Sequence, residues 1–153
     1  MPRNIEACLS KKTDNWKTPT NIYEMFMKAG YKDTFIYESK YNEFERNYTK
    51  RKLFINPPFS KLKRVIEWVI KQYYNDNQIA LLIPSRTDTQ YFYDLMMYCY
   101  KDCEIYFIKG RLHYNDEKSA PFPTMLIILG KKTYQHMQSY CIYQEEIKDV
   151  IWS

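Results

Sequence analysis

Apolar positions in this chain follow two periods, and from residue 53 onward the periods alternate. Residues 53–55, 78–83, 103–108 and 122–129 are short, nearly continuous apolar runs and read as strands, the second of the kind buried on both faces. Between the first two runs, residues 60–74 carry Leu62, Val65, Ile66, Val69, Ile70 and Tyr73 on one stripe, opposite Lys61, Lys63, Arg64 and Lys71, the mark of an amphipathic helix. A second helix starts at Asp88 and bears Tyr91, Phe92, Leu95, Met96 and Cys99. Upstream, Thr18 and Pro19 make a good N-cap and first-turn pair, and Ile22, Tyr23, Phe26 and Met27 repeat at helical spacing until Gly30 stops the helix. Residues 34–37 read as a short strand, 38–50 as loop or a short helix, and 135–153 as a terminal helix anchored by Ile147, Val150, Ile151 and Trp152. Residues 1–13 are polar and aperiodic and read as a loosely held arm. The alternation of strand and helix predicts a three-layer α/β domain.

A length of 153 residues fits a single domain, 1–153, able to bury about two thirds of its unfolded surface without disulfides. The net charge of +5 is compatible with DNA without demanding it. Sixteen tyrosines fit a biased, AT-rich coding sequence better than an array of base-stacking platforms. Cys8, Cys99, Cys103 and Cys141 contain no Cys-x-x-Cys pair, so free structural thiols are expected and no metal site. With no run of about 18 apolar residues, no membrane partner is expected, and the chain reads as intracellular.

The chemistry concentrates in Asn56-Pro57-Pro58-Phe59, directly behind the first clear strand and ahead of the amphipathic helix. In open α/β sheets this is where ligands bind, at the carboxyl end of a strand. Two prolines fix the backbone and remove two donors, which makes the loop rigid and turns the Pro57 and Pro58 carbonyls outward. The Asn56 side-chain oxygen and the Pro57 carbonyl then accept from one exocyclic amine, drawing its lone pair out of conjugation, while the Phe59 ring offers a stacking face.

Trp16-Lys17-Thr18-Pro19, Asn56 to Phe59, Pro84-Ser85-Arg86-Thr87-Asp88-Thr89, Lys109-Gly110-Arg111-Leu112 and Pro121-Phe122-Pro123-Thr124-Met125 occur in this order. Together they resemble the phage-type DNA N6-adenine methyltransferase family. The resemblance implies a Rossmann-like fold dependent on S-adenosylmethionine and an adenine flipped from DNA. Asn56, Pro57, Pro58 and Phe59 would be its catalytic loop. Trp16, Thr18, Pro19 and Glu38 would line the cofactor pocket, and Lys61, Lys63, Arg86, Asp88 and Arg111 would face DNA. Arg86 and Asp88 would order the loop beside the base or contact the backbone; a structural ion pair with a helix cap by Asp88 is an equal alternative.

The cofactor segment departs from the family's pattern. Small residues usually follow the acidic one, whereas Glu38 is followed by Ser39 and Lys40, and none of the three glycines is nearby. Only 17 residues separate Glu38 from Asn56, too few for two strand-helix units. Either the sheet is trimmed on this side or the pocket is incomplete. A degenerate fold serving as a DNA-binding or regulatory module, and a methyltransferase for an RNA or protein amine, are the alternatives.

Overall fold

The computed structural model describes residues 16–35, 42–116, 119–133 and 135–152. Residues 53–55, 79–83 and 125–129 are buried without interruption, so the strands they form are covered on both faces. They build β2 (Lys52–Ile55), β3 (Gln78–Pro84) and β5 (Thr124–Leu129), the centre of a six-stranded sheet completed by β1 (Lys32–Thr34), β4 (Cys103–Ile108) and β6 (Gln138–Ile142). The strand order is β1-β2-β3-β5-β4-β6. β1, β2 and β3 run parallel, β5 is antiparallel to both its neighbours, and β6 pairs parallel with β4. Every strand but β5 therefore ends at one edge of the sheet, where β5 begins. Among the described residues β1 is the last strand on its side.

Among the described residues four α-helices supply the cover: α1 (Thr20–Lys28), α2 (Leu62–Tyr74), α3 (Gln90–Cys99) and α4 (Ile147–Trp152). α2 packs on α3, and α1 on α4. Phe26 of α1 stacks on Phe54 of β2 with ring centres 4.4 Å apart, and both rings are fully buried. Truncating either to Ala removes a filled volume that such cores cannot close, at about 3–5 kcal/mol.

Several boundaries differ from the sequence reading, each for a local reason. β1 lies two residues earlier, because Lys32 to Thr34 register against Leu53 to Ile55 and Phe35, at φ 55°, turns the chain away. The arm 1–13 and Glu38 lie outside the described residues. Thr18 does not cap α1. Its hydroxyl is bonded elsewhere, and Asp116, remote in sequence, accepts from both the Thr20 N–H and the Thr20 hydroxyl. α3 starts at Gln90 with Thr89, not Asp88, as its cap; the Thr89 hydroxyl accepts from the Phe92 N–H at 3.4 Å. The stripe of α2 is wider than predicted, for Trp68 and Gln72 are also buried. Trp68 Nε1 donates to the Arg46 carbonyl, and Gln72 bonds the backbone of Arg46 and Tyr48, which ties down the aperiodic segment containing the 3₁₀ turn Glu43–Glu45.

The carboxyl-terminal region is not one helix. Residues 138–142 form the edge strand β6, since pairing with the open side of β4 and stacking Tyr140 on Tyr106 at 5.1 Å outweigh local helical preference. Among the described residues of this region only 147–152 are α-helical, entered through a 3₁₀ turn at Gln144–Glu146. Ile147, Val150 and Ile151 anchor that turn, whereas Trp152 is 66% exposed.

Candidate active site

The segment Trp16 to Pro19 has no regular structure, and its position is set by the connection between β4 and β5. Lys17 N–H donates to Asn115 Oδ1 at 3.0 Å, and Asn115 N–H donates to the Lys17 carbonyl at 2.9 Å. Together with the bonds from Thr20 to Asp116, these close a clasp on both sides of Thr18. Asn115 and Asp116 hold it with φ of 60° and 55°, a left-handed conformation that Asn and Asp adopt more readily than most residues. The Thr20 bonds hold the Asp116 carboxyl below its usual range.

This clasp lays the segment against the end of β2. Asn56 Nδ2 donates to the Trp16 carbonyl and, at 3.0 Å, to Thr18 Oγ1. Asn56 Oδ1 is buried and has no partner. Trp16 Nε1 and the Tyr91 hydroxyl share that condition, and among the described residues no other buried side-chain polar atom does. Leaving a buried polar group unpaired costs about 1–3 kcal/mol, so these three atoms single out this part of the molecule as the candidate site.

Phe59 lies one turn beyond, buried in a cluster of four rings. Trp16 is nearly parallel to it at 6.4 Å, Phe122 stands edge-on to both at 5.2 Å, and Tyr114 closes the side at 5.8 Å from Trp16 and 6.2 Å from Phe59. The face expected to be open thus belongs to a buried ring, with the Trp16 ring nearly parallel beside it. Pro57 is buried, and the Pro58 carbonyl, expected to face outward, accepts the Lys61 N–H at 3.0 Å to form the 3₁₀ turn Phe59–Lys61. The Tyr114 hydroxyl, paired with Thr124 Oγ1 at 3.3 Å, is pushed above its usual range by burial.

The remaining candidates lie on the rim of the same edge. Arg86 is half-buried in the turn after β3, its carbonyl accepting from Thr89 Oγ1 at 2.7 Å; Asp88 is exposed, and no ion pair joins the two among the described residues. Burial raises the Tyr91 hydroxyl pKa, the nearby Thr89 side chain and the charge of Arg86 opposing the rise and Asp88 adding to it. Lys61 and Lys63, where α2 begins, and Arg111, after β4, are exposed. Gln144 Nε2 donates to the Arg111 carbonyl at 3.3 Å. At the end of β1, the Asp33 carboxyl is pushed up to about 6 by burial, with Glu43 adding to the effect.

The structure therefore brings Trp16, Thr18, Asn56 and Phe59 into one cluster and leaves the basic residues apart on its rim. Tyr114, Asn115, Asp116 and Phe122 are parts that sequence reasoning left without a role. The Asn115-Asp116 pair, inside a polar connection between strands, was the available signal, since both residues favour such turns.

Comparison with curated proteins and with solved structures found no match. The family model described as DNA N-6-adenine-methyltransferase (Dam) matches residues 7–140, which contain the clasp, the Asn56 loop, the aromatic cluster and all the rim residues. The chain belongs to the DNA N-6-adenine-methyltransferase (Dam) family.

Proposed function

We propose that this chain transfers the methyl group of S-adenosylmethionine to the N6 amine of an adenine flipped out of DNA. The observation that carries this reading is Asn56: both of its donor positions are used within the protein, and its buried oxygen is left as an acceptor at the carboxyl end of β2. An exocyclic amine is the partner such an oxygen lacks.

Asn56 Oδ1 and the Pro57 carbonyl accept from the two N–H groups of the amine and turn its lone pair toward the methyl carbon. When bound, the donor would supply an electrophilic methyl carbon whose bond to sulfur would break as the bond to nitrogen formed, releasing a neutral thioether, and the extra proton on nitrogen would pass to water. A sulfonium is already a reactive methyl donor, so orientation of the amine supplies most of the acceleration, and no strong general base is required. Phe59, with Trp16 nearly parallel to it, holds the base; entry of the base requires the Trp16 ring to shift from its place beside Phe59.

For the methyl donor, the residues present fit in part. Trp16, with its unpaired buried Nε1, lies beside Asn56, and Glu38 follows β1 in sequence. The sheet order fits the half of a doubly wound sheet that runs outward from its first strand, and among the described residues no strand lies beyond β1. On the rim, Lys61, Lys63, Arg86 and Arg111 hold phosphates while Asp88 orders its loop.

Incubation with DNA and methyl-labelled S-adenosylmethionine, followed by mass spectrometry of the nucleosides, is expected to yield N6-methyladenine. A folded chain that binds DNA, gives no heat with millimolar cofactor and transfers no label would be a non-catalytic module. Label found only on RNA or protein would move the substrate.

A further inference from the structure

We propose that Thr18 is a positioning residue for the transfer, its hydroxyl taking the second Asn56 N–H and so locking the carboxamide in the orientation that the Trp16 carbonyl selects. This rests on the methyltransferase reading and deepens it. The two ends of an Asn side chain are nearly equal in size, and rotation about χ2 is soft. Rotated by half a turn, Asn56 would aim N–H donors at an amine that itself donates. The Trp16 carbonyl can only accept, so it draws Nδ2 and not Oδ1; Thr18 Oγ1 takes the second N–H at 3.0 Å. With both donors bonded the amide is locked, and its oxygen carries more negative charge than that of a free amide, a stronger acceptor for the amine.

Thr18 is itself held. The clasp bonds of Lys17 and Thr20 flank it, and Pro19 fixes the following backbone at φ −51°. The hydroxyl therefore stands at a set distance from β2 before any ligand arrives. Sequence alone points to Thr18 as a helix cap or a cofactor contact; its bond to Asn56 Nδ2 assigns it to the acceptor instead.

The test compares Thr18→Val, which keeps shape and loses the acceptor, with Thr18→Ser, which keeps the acceptor. Single-turnover methylation in Thr18→Val is expected to fall about tenfold to a hundredfold, the scale of a misplaced reacting group. Cofactor and DNA affinities are expected to stay within about twofold, and Thr18→Ser to recover most of the rate. In ¹⁵N spectra of the unmodified chain, both Asn56 side-chain amide protons should exchange slowly, and Thr18→Val should shift one of them upfield. A wild-type rate in Thr18→Val overturns the proposal. So does a Thr18→Ser variant as slow as Thr18→Val, or a weakened cofactor affinity with an unchanged saturated rate. If Thr18→Val does not fold, fast exchange of either Asn56 amide proton in the unmodified chain overturns it, and slow exchange of both upholds it. A chain that transfers no methyl group to any DNA overturns the functional reading and this inference together, whereas an active chain indifferent to Thr18→Val sinks this inference alone.

Discussion

Asn56 and Asn77 sit at opposite ends of neighbouring strands, and the same side chain does opposite things there. Asn77, before β3, is 1% exposed and fully bonded: Nδ2 donates to the Tyr48 and Gln72 carbonyls at 2.7 and 2.8 Å, and Oδ1 accepts from the Arg51 N–H at 3.0 Å. Around it, Asp102 accepts from the Lys132 and Thr133 N–H groups. Gly130, at φ +86°, lets the chain pass where a Cβ would stand 2.4 Å from the Asn77 carbonyl. At the other end, Asn56 keeps its oxygen unpaired, and Trp16 Nε1 and the Tyr91 hydroxyl do the same. One end of the sheet has its buried polar groups paired. The other leaves three unpaired, at a cost of about 1–3 kcal/mol per group, and on the proposed function that capacity is kept for a ligand.

The contrast predicts reciprocal mutants. Asn56→Ala should lower single-turnover methylation by a hundredfold or more, the scale of removing one preorganised hydrogen-bonding group from a reacting centre. Its unfolding midpoint in urea should hardly move, because loss of the bonds to Trp16 and Thr18 is offset by removal of an unpaired buried oxygen. Asn77→Ala should do the reverse, losing roughly 2–4 kcal/mol as two carbonyls and one N–H are left unpaired. Methyl transfer per folded molecule should stay within about twofold in that variant. An Asn56→Ala chain that unfolds, or an Asn77→Ala chain that is stable and inactive, would break the comparison.

How much of this was legible depends on the range over which each feature is determined. The strands at 53–55, 78–83 and 103–108 and the helix between the first two follow from local periodicity, and the structure keeps them nearly to the residue. The Asn56 loop was legible because Pro57 and Pro58 fix its conformation locally. What escaped was set by distant pairing. β6 exists because β4 offers an open edge, and the cap of α1 comes from Asp116. The placement of Trp16 beside Phe59 needs Asn115, in a left-handed conformation no periodicity encodes, to hold Lys17.

Asp33 asks whether the strain at the ligand edge extends to the outer strand. Burial raises its carboxyl pKa from 3.8 to about 6, so the folded state holds the proton more tightly than the unfolded state. Stability from this group is thus fully present below about pH 4 and is lost as pH rises through about 6. Asp33→Asn should therefore be the more stable chain at pH 8, by about 1–2 kcal/mol once the full shift is discounted for partial exposure. The advantage should shrink toward pH 4. Urea titrations of both chains at the two pH values would show it, and a constant difference would place the carboxylate in a paired or solvated setting.

The smallest effect expected is on the DNA face, which the proposed function puts on the rim around Asn56. Arg111 lies on that rim, after β4, and Lys50 lies at the far end, before β2; both are exposed. Each phosphate neutralised on B-DNA releases counterions worth about 0.9 in the slope of log affinity against log salt. Arg111→Ala should reduce that slope by about one unit and weaken all sequences alike, since a phosphate contact carries no base information. Lys50→Ala should leave the slope unchanged, and Phe59→Ala should impair capture of the flipped base with little change in slope. Equal slopes for Arg111→Ala and the unmodified chain, with a fall for Lys50→Ala, would move the DNA to the paired end and separate it from the unpaired oxygen of Asn56.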